Sequence, residues 1–335
     1  MTDLSELSAS DVCGAHGLRA LALACKPAVI RGLCSNWPST LAGLRGPEAA
    51  MAYIGQFAAG RAAEYFSAPS ALGGRYHYGE ALAGFNFTRE TIRVGAALER
   101  ISANVLKPDE TGYLGSLPAD AYFPGFAEDN PIDLFDRDGR PRLWLGNPST
   151  VACHYDSYDN LACVVAGRRR FTLYPPEAIG DLYVGPIDHT LSGQPISLAA
   201  GAPDGAGAFP RFAAAQAKAV VAILEPGDAL YLPKLWWHQV DALDPVNILV
   251  NYWWDGFSSG PDSPYASLLL AMIAIAERPA AERAAWRSYF DHYVFRPDGH
   301  PLAHLPEAQH GILGPLAQGS YGRIRALVMK MLRHG

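Results

Sequence analysis

A histidine, an aspartate and a distant second histidine are the side chains whose types and spacing can do chemistry in this chain. In Thr150-Val151-Ala152-Cys153-His154-Tyr155-Asp156 an imidazole and a carboxylate stand two residues apart. Residues two apart on a strand project to the same side, so His154 and Asp156 are expected to point together into a barrel. Trp236-Trp237-His238 offers a third donor, 238 − 154 = 84 residues later. Two imidazoles and a carboxylate fill one face of an octahedral ion and leave the opposite face open, the donor set of a non-haem Fe(II) centre. By itself an H-x-D tripeptide is a weak signal, since it recurs by chance and a lone histidine is more often simply hydrogen-bonded. Pro186-Ile187-Asp188-His189 holds an alternative histidine, but no carboxylate follows it two residues on.

Such ligands need strands to position them, and the middle of the chain supplies strand texture. Arg142–Gly146, Leu161–Ala166, Arg170–Tyr174, Ala219–Leu224, Ala229–Leu232 and Val246–Trp254 are rich in Val, Ile, Leu and aromatics. Turns such as Tyr174-Pro175-Pro176 and Glu225-Pro226-Gly227-Asp228 bound several of them. Short strands at this spacing predict an antiparallel sandwich or barrel. Residues 199–217, rich in Ala, Gly and Pro, interrupt it as a long loop or a loop with a helix.

The flanks read differently. The first 25 or so residues are expected to be helical behind the caps in Ser8-Ala9-Ser10-Asp11, and Pro27–Gly32 to form a strand. Between Ala83 and Ile101 the C-terminal half looks helical. Beyond Ser263-Pro264 the chain returns to helix, with a second helix from Pro279 to Phe290. In the last helix Ile324, Leu327, Val328, Met331 and Leu332 make one apolar stripe.

Composition sets outer bounds. The 335 residues are 49% hydrophobic, 18% charged and 11% aromatic, which excludes a disordered or collagenous protein. The 27 basic and 33 acidic residues leave a net charge of −6, which argues against nucleic acid or an anionic membrane as partner. Met1–Glu6 lacks the basic and apolar regions of a signal peptide. The longest apolar run, Leu268–Ala276, is too short to span a bilayer. Cys13, Cys25, Cys34, Cys153 and Cys163 are odd in number and scattered, which argues against a disulfide framework and a zinc cluster. The expectation is a protein of a reducing cytoplasm.

Three longer stretches carry a family resemblance. HYDSYDNLACVVAGRRRFTLYPP (154–176), EPGDALYLPKLWWHQV (225–240) and NILVNYWW (247–254) resemble the JmjC/cupin-like 2-oxoglutarate oxygenases. Within them the resemblance is closest to hydroxylases related to the asparaginyl hydroxylase that inhibits hypoxia-inducible factor. PAVIRGLCSNWP (27–38) is similar to the family's entry strand. The resemblance implies a mainly β fold, a double-stranded β-helix or jelly roll, over residues 110–258. An α/β flank (1–109) would precede it and a helical dimerisation segment (259–335) would follow. It implies Fe(II) on His154, Asp156 and His238, and 2-oxoglutarate as co-substrate. Arg169, at 154 + 15, would pair with the distal carboxylate of 2-oxoglutarate, and Tyr113 would contact it. Asn160, Asn251 and Trp253 fall at the family's positions beside the co-substrate. O₂ would be the oxidant, a protein or peptide side chain the hydroxylated substrate, and a second copy of the chain a partner. An oxygenase acting on a small molecule or RNA base, and a non-catalytic metal-binding cupin, are the alternatives.

This chain departs from the family at three positions. A lysine is usual where Arg169 stands; the guanidinium keeps the charge and adds a planar fork. The threonine expected just before the first histidine is Val151, with Thr150 displaced by one, and an aromatic expected near Asn160 is Ala162. On a strand, Arg168-Arg169-Arg170 should alternate out, in, out. The tryptophans are expected as wall and core rather than as stacking platforms for substrate, and His77 is expected at the surface.

Overall fold

Apolar runs bounded by turns become strands here, and whether a run alternates records whether one face or both are covered. The computed structural model describes residues 4–12, 14–135, 139–191, 193–202, 205–255, 257, 262–316 and 319–334. The described strands are β1 (Ser5–Ser8), β2 (Ala28–Arg31), β3 (Ala62–Pro69), β4 (Arg75–Tyr76), β5 (Thr88–Arg93), β6 (Glu110–Pro118) and β7 (Arg142–Gly146). They continue with β8 (Ser149–His154), β9 (Asp159–Ala166), β10 (Arg169–Tyr174), β11 (Val220–Leu224), β12 (Ala229–Leu232), β13 (Trp237–Ala242) and β14 (Asn247–Trp254).

They form two sheets. One has nine strands in the order β1-β2-β12-β9-β14-β7-β6-β3-β5, the other five in the order β11-β10-β13-β8-β4. Pairing is antiparallel except for β1 with β2 and β4 with β8. Strand β9 lies inside the larger sheet with every residue buried, so its sequence DNLACVVA shows no alternation. In β10 the expected alternation is present: Arg169 is buried, while Arg168 and Arg170 face outward to Asp244 and Asp241.

The sheets pack on each other through an apolar layer. Val29, Val164, Leu230 and Leu249 of the larger sheet meet Phe171, Leu173, Leu224 and Val240 of the smaller one. Helices α1 (Gly14–Ala24), α3 (Pro47–Gly55) and α4 (Val94–Leu106) bring Leu18, Ile54, Leu98 and Ile101 into a second layer with Leu143, Leu161 and Val250, and α2 (Pro38–Leu44) lies against β9. The short helices are α5 (Ala119–Tyr122), α6 (Phe126–Asp129), α7 (Gly205–Ala208) and α8 (Phe212–Gln216). Phe212 of α8 packs with Cys153, Tyr174 and Trp237.

One of these expectations needs correction. Residues 5–8 are a strand, not the start of a helix, because they pair in parallel with β2. The expected cap Ser8 instead turns the chain, its N–H and hydroxyl both donating to Asp11 Oδ2 at 2.7 Å. The C-terminal half of Ala83–Ile101 is helical from Val94, as expected, and Thr88–Arg93 before it is a strand paired with β3. Cys13 lies outside the described residues, and the other four cysteines are free.

The chain divides into two units, residues 1–256 and 257–335. The first holds all fourteen described strands; segment 1–109 gives five of them, β1 to β5. The second unit holds α9 (Pro264–Ile275), α10 (Ala280–Phe290) and α11 (Ser320–His334), close to where the sequence places helices. Among the described residues no helix is long and apolar enough to cross a membrane.

Candidate metal centre

Strands β8 and β13 are antiparallel neighbours, and their register sets His154 directly opposite His238. The two rings lie 4.3 Å apart by centroid. Asp156 follows two residues after His154, just past the end of β8, and its Oδ2 is 3.8 Å from His238 Nε2. One donor atom from each of His154, Asp156 and His238 lies within 4.8 Å of the others. The turn before β13 is tied to the same carboxylate-bearing segment: Leu235 N–H donates to the Asp156 carbonyl at 2.8 Å. Leu235 does so at φ +68°, a left-handed conformation that a leucine adopts only where its surroundings hold it.

Both rings are oriented by the backbone behind them. His154 Nδ1 donates to the Ala152 carbonyl at 2.8 Å and His238 Nδ1 to the Trp236 carbonyl at 3.0 Å. With the proton on Nδ1, each Nε2 presents its lone pair, the arrangement of a metal-ligating histidine. Burial, reinforced by the neighbouring His154, lowers His238 to about 4, so its imidazole is neutral at physiological pH. The thiol next to this set plays no part in it. Cys153 turns to the opposite side of β8, wholly buried, and burial raises its pKa.

The triad opens into a cavity of about 730 Å³. Tyr113, Asn160, Arg169, Asn251 and Trp253, the residues expected around a co-substrate, all line it. Arg169 is only 3% exposed. Its Nη2 donates to the Trp144 carbonyl at 3.3 Å, and among the described residues its Nε has no partner. Burial pulls this guanidinium down to about 10, with Tyr113 opposing the shift, so it remains charged near neutral pH. A buried cation without a carboxylate partner costs several kcal/mol unless a ligand brings the counter-charge. Tyr113 shows the reciprocal pattern: burial raises its phenol and the Arg169 charge lowers it. Asn251 Nδ2 donates to Asn160 Oδ1 at 3.1 Å, and Trp144 Nε1 donates to Asn251 Oδ1 at 2.7 Å, which fixes both amides on the wall. The donor set therefore fits a divalent metal, and the orphaned guanidinium fits an acid beside it.

The alternatives resolve in the geometry. His189 is stacked on Phe85, 5.2 Å by centroid and 18° between planes, and is not one of the three clustered donors. His77 is half-buried rather than at the surface, and its neighbour Tyr76 lines the cavity instead. Thr150 faces away, donating to Asp241 Oδ1 at 2.8 Å, whereas Val151 and Ala162 line the cavity. Sequence reasoning missed Glu64, Arg89, Arg142 and Gln194, which also line it. Alternation along Arg142-Leu143-Trp144 could have found Arg142; Gln194 stands between strands, where periodicity carries no signal.

A His-Asp-His set inside two packed sheets defines a metal-site barrel of the cupin type. The chain belongs to the family described as cupin-like domain, which matches residues 16–260. Membership implies the jelly roll for the two sheets. The chain is similar to human (Homo sapiens) HSPB1-associated protein 1, 35% identical over 180 residues, 49% of this chain and 36% of that protein. It is also similar to lysine-specific demethylase 8 of Xenopus tropicalis, 28% identical over 238 residues, 68% of this chain and 48% of that one. Lysine-specific demethylase JMJ31 of Arabidopsis thaliana is 38% identical over 113 residues, 33% of this chain and 20% of the relative. The aligned parts thus span less than half the length of each of these relatives.

Proposed function

We propose that this chain is an Fe(II)- and 2-oxoglutarate-dependent oxygenase that hydroxylates a side chain of a protein, in the manner of the asparaginyl hydroxylases it resembles. One observation carries the reading. Three ligand atoms within 4.8 Å open into a cavity that also presents a buried guanidinium with no carboxylate partner among the described residues. His154, Asp156 and His238 would hold the metal through Nε2, a carboxylate oxygen and Nε2. Arg169 and Tyr113 would take the distal carboxylate of 2-oxoglutarate, and the Asn160–Asn251 pair would fix its orientation. Trp144 and Trp253, edge to face at 5.8 Å, wall the site and limit water. Bound iron and 2-oxoglutarate supply the oxidising chemistry that couples O₂ reduction to decarboxylation of the co-substrate.

The test is succinate formation from 2-oxoglutarate under air with Fe(II), measured beside metal binding by calorimetry. Wild type should bind one divalent ion and form succinate, and His238→Ala should do neither while keeping its far-ultraviolet spectrum. Succinate formation retained in His238→Ala removes this triad from the chemistry.

The names of two relatives favour a second reading, removal of a methyl group from lysine. Product mass separates the two, since hydroxylation adds one oxygen atom and demethylation removes one methylene. A reducing cytoplasm suits a site for ferrous iron and four free cysteines. We also place a second copy of the chain among its partners, joined through the helices of the second unit.

A further inference from the structure

A second guanidinium faces the same cavity and has no role in the reading above. In β7 the half-buried Arg142 and Trp144 line the cavity, while Leu143 and Leu145 lie in the core behind them. Arg142 Nε donates to Ser116 Oγ at 2.7 Å, and Nη2 donates to the Ser116 carbonyl at 3.0 Å. The guanidinium carbon sits 5.5 Å from the ring centroid of Trp253. These contacts fix the plane of the group without neutralising it. Among the described residues, its side-chain hydrogen bonds all go to Ser116, and Nη1 makes none.

The partner that fixes it is itself held in an unusual conformation. Ser116 has φ +57° and lies where the β6–β7 register slips between Leu114 and Leu117. Irregularities of this kind beside a cavity re-aim a side chain, and they persist only where the surrounding structure holds them. Here both oxygens of Ser116 are turned onto one edge of Arg142, the one formed by Nε and Nη2, and Nη1 is left without a hydrogen bond among the described residues. The carboxylates lining the cavity have other neighbours: Asp156 belongs to the triad, and Glu64 Oε1 is 3.9 Å from Arg89. Trp253 Nε1, on the same wall, is buried without a partner among the described residues.

We propose that Arg142 determines substrate specificity by taking a carboxylate of the substrate, an Asp or Glu side chain in a peptide laid into this cavity. A planar fork matches a planar carboxylate in charge and in geometry. Of the three arginines that line the cavity, Arg89 lies beside Glu64, the buried Arg169 takes the co-substrate, and the half-buried Arg142 takes a group arriving from solvent. The inference rests on the oxygenase reading and names the substrate class for it.

The experiment uses the full chain loaded with Mn(II) and 2-oxoglutarate, applied to an array of immobilised random peptides. One position of each peptide is fixed as Asp, Glu, Asn, Gln or phosphoserine. Wild type should be retained about tenfold more by Asp and Glu than by their amides, in keeping with a charge-assisted pair. Arg142→Met should abolish the preference, and Arg142→Lys should keep part of it. Ser116→Gly, which tolerates the left-handed backbone, should weaken it while the charge remains; this variant guards against misfolding of Arg142→Met. No preference for acid in wild type, a preference that survives Arg142→Met, or stronger retention by phosphoserine overturns the assignment. The affinity for 2-oxoglutarate is measured separately. If wild type does not bind it, the oxygenase reading fails. If Arg142→Met alone loses it, Arg142 is a co-substrate ligand and only this inference fails.

Discussion

Burial lowers His238 and Arg169 alike, but from such different starting values that the two end in opposite protonation states, and both states serve the site. His238 loses its proton and so offers a lone pair. Arg169, lowered only to about 10, keeps its proton and so offers a charge. The charge has a measurable consequence. A pair with the distal carboxylate of 2-oxoglutarate, as proposed, would be a charge-assisted contact of about 1.5–3 kcal/mol, so Arg169→Ala should raise the 2-oxoglutarate Kd roughly tenfold to a hundredfold. Divalent metal binding should persist in that variant, because the triad does not involve Arg169. Calorimetry with metal and co-substrate titrated in turn reads both; an unchanged Kd means that another residue holds the acid. This part of the site was legible because spacing reports it: His154 and Asp156 stand two apart, and Arg169 stands between two outward arginines. Arg142 was not, because its role depends on the backbone angle of Ser116, which no residue pattern announces.

Elements carry the ligands to one another, and their legibility follows their burial. The strands that hold the two histidines and Arg169, β8, β10 and β13, pair within one sheet, and the apolar run of β10 was plain in the sequence. Residues 5–8 read as helix, and residues 62–69 and 88–93 fall where the sequence shows only helical patches and turns; of these strands β1 and β5 are the two edges of the larger sheet, while β3 lies between β6 and β5. An edge strand pairs on one side only, and Thr88–Arg93, exposed along nearly its whole length, has little apolar pattern to show. At the other extreme, α2 approaches the backbone of β9 so closely that only glycine fits at position 43. A Cβ there would overlap the Val165 carbonyl oxygen and meet Ala166 Cβ at 3.0 Å. Gly43→Ala should therefore lever α2 away from the central strand and cost about 1–3 kcal/mol, the range for overpacking a filled core. Urea unfolding should show a lower midpoint at an unchanged slope. The metal affinity of the folded fraction should be kept, because β9 carries none of the three ligands. A midpoint equal to that of wild type would mean that the helix is free to move.

The molecule as a whole separates its chemistry from an apolar surface that its chemistry does not need. The three metal ligands and the cavity-lining residues lie in residues 1–256. The second unit is built differently, for α9 and α10 bury no residue. The α11 stripe divides: Ile324 is half-buried, while Leu327, Val328, Met331 and Leu332 are exposed, Met331 by 66%. Leu268, Leu269 and Ile273 of α9 are exposed as well. A surface helix ordinarily buries one stripe in its own core, and here only the first residue of the stripe gains cover. Open apolar surface on this scale marks an interaction site, and a two-fold axis lets one patch cover the same patch on a second copy. The expected result is a dimer by light scattering across a dilution series, and a monomer for Leu327→Glu/Met331→Glu. Because the stripe is remote in sequence from every triad and cavity residue, the monomeric variant should still bind a divalent metal and 2-oxoglutarate in calorimetry. A monomeric wild type ends the idea, and a dimer that survives both charges moves the interface to another face of the chain.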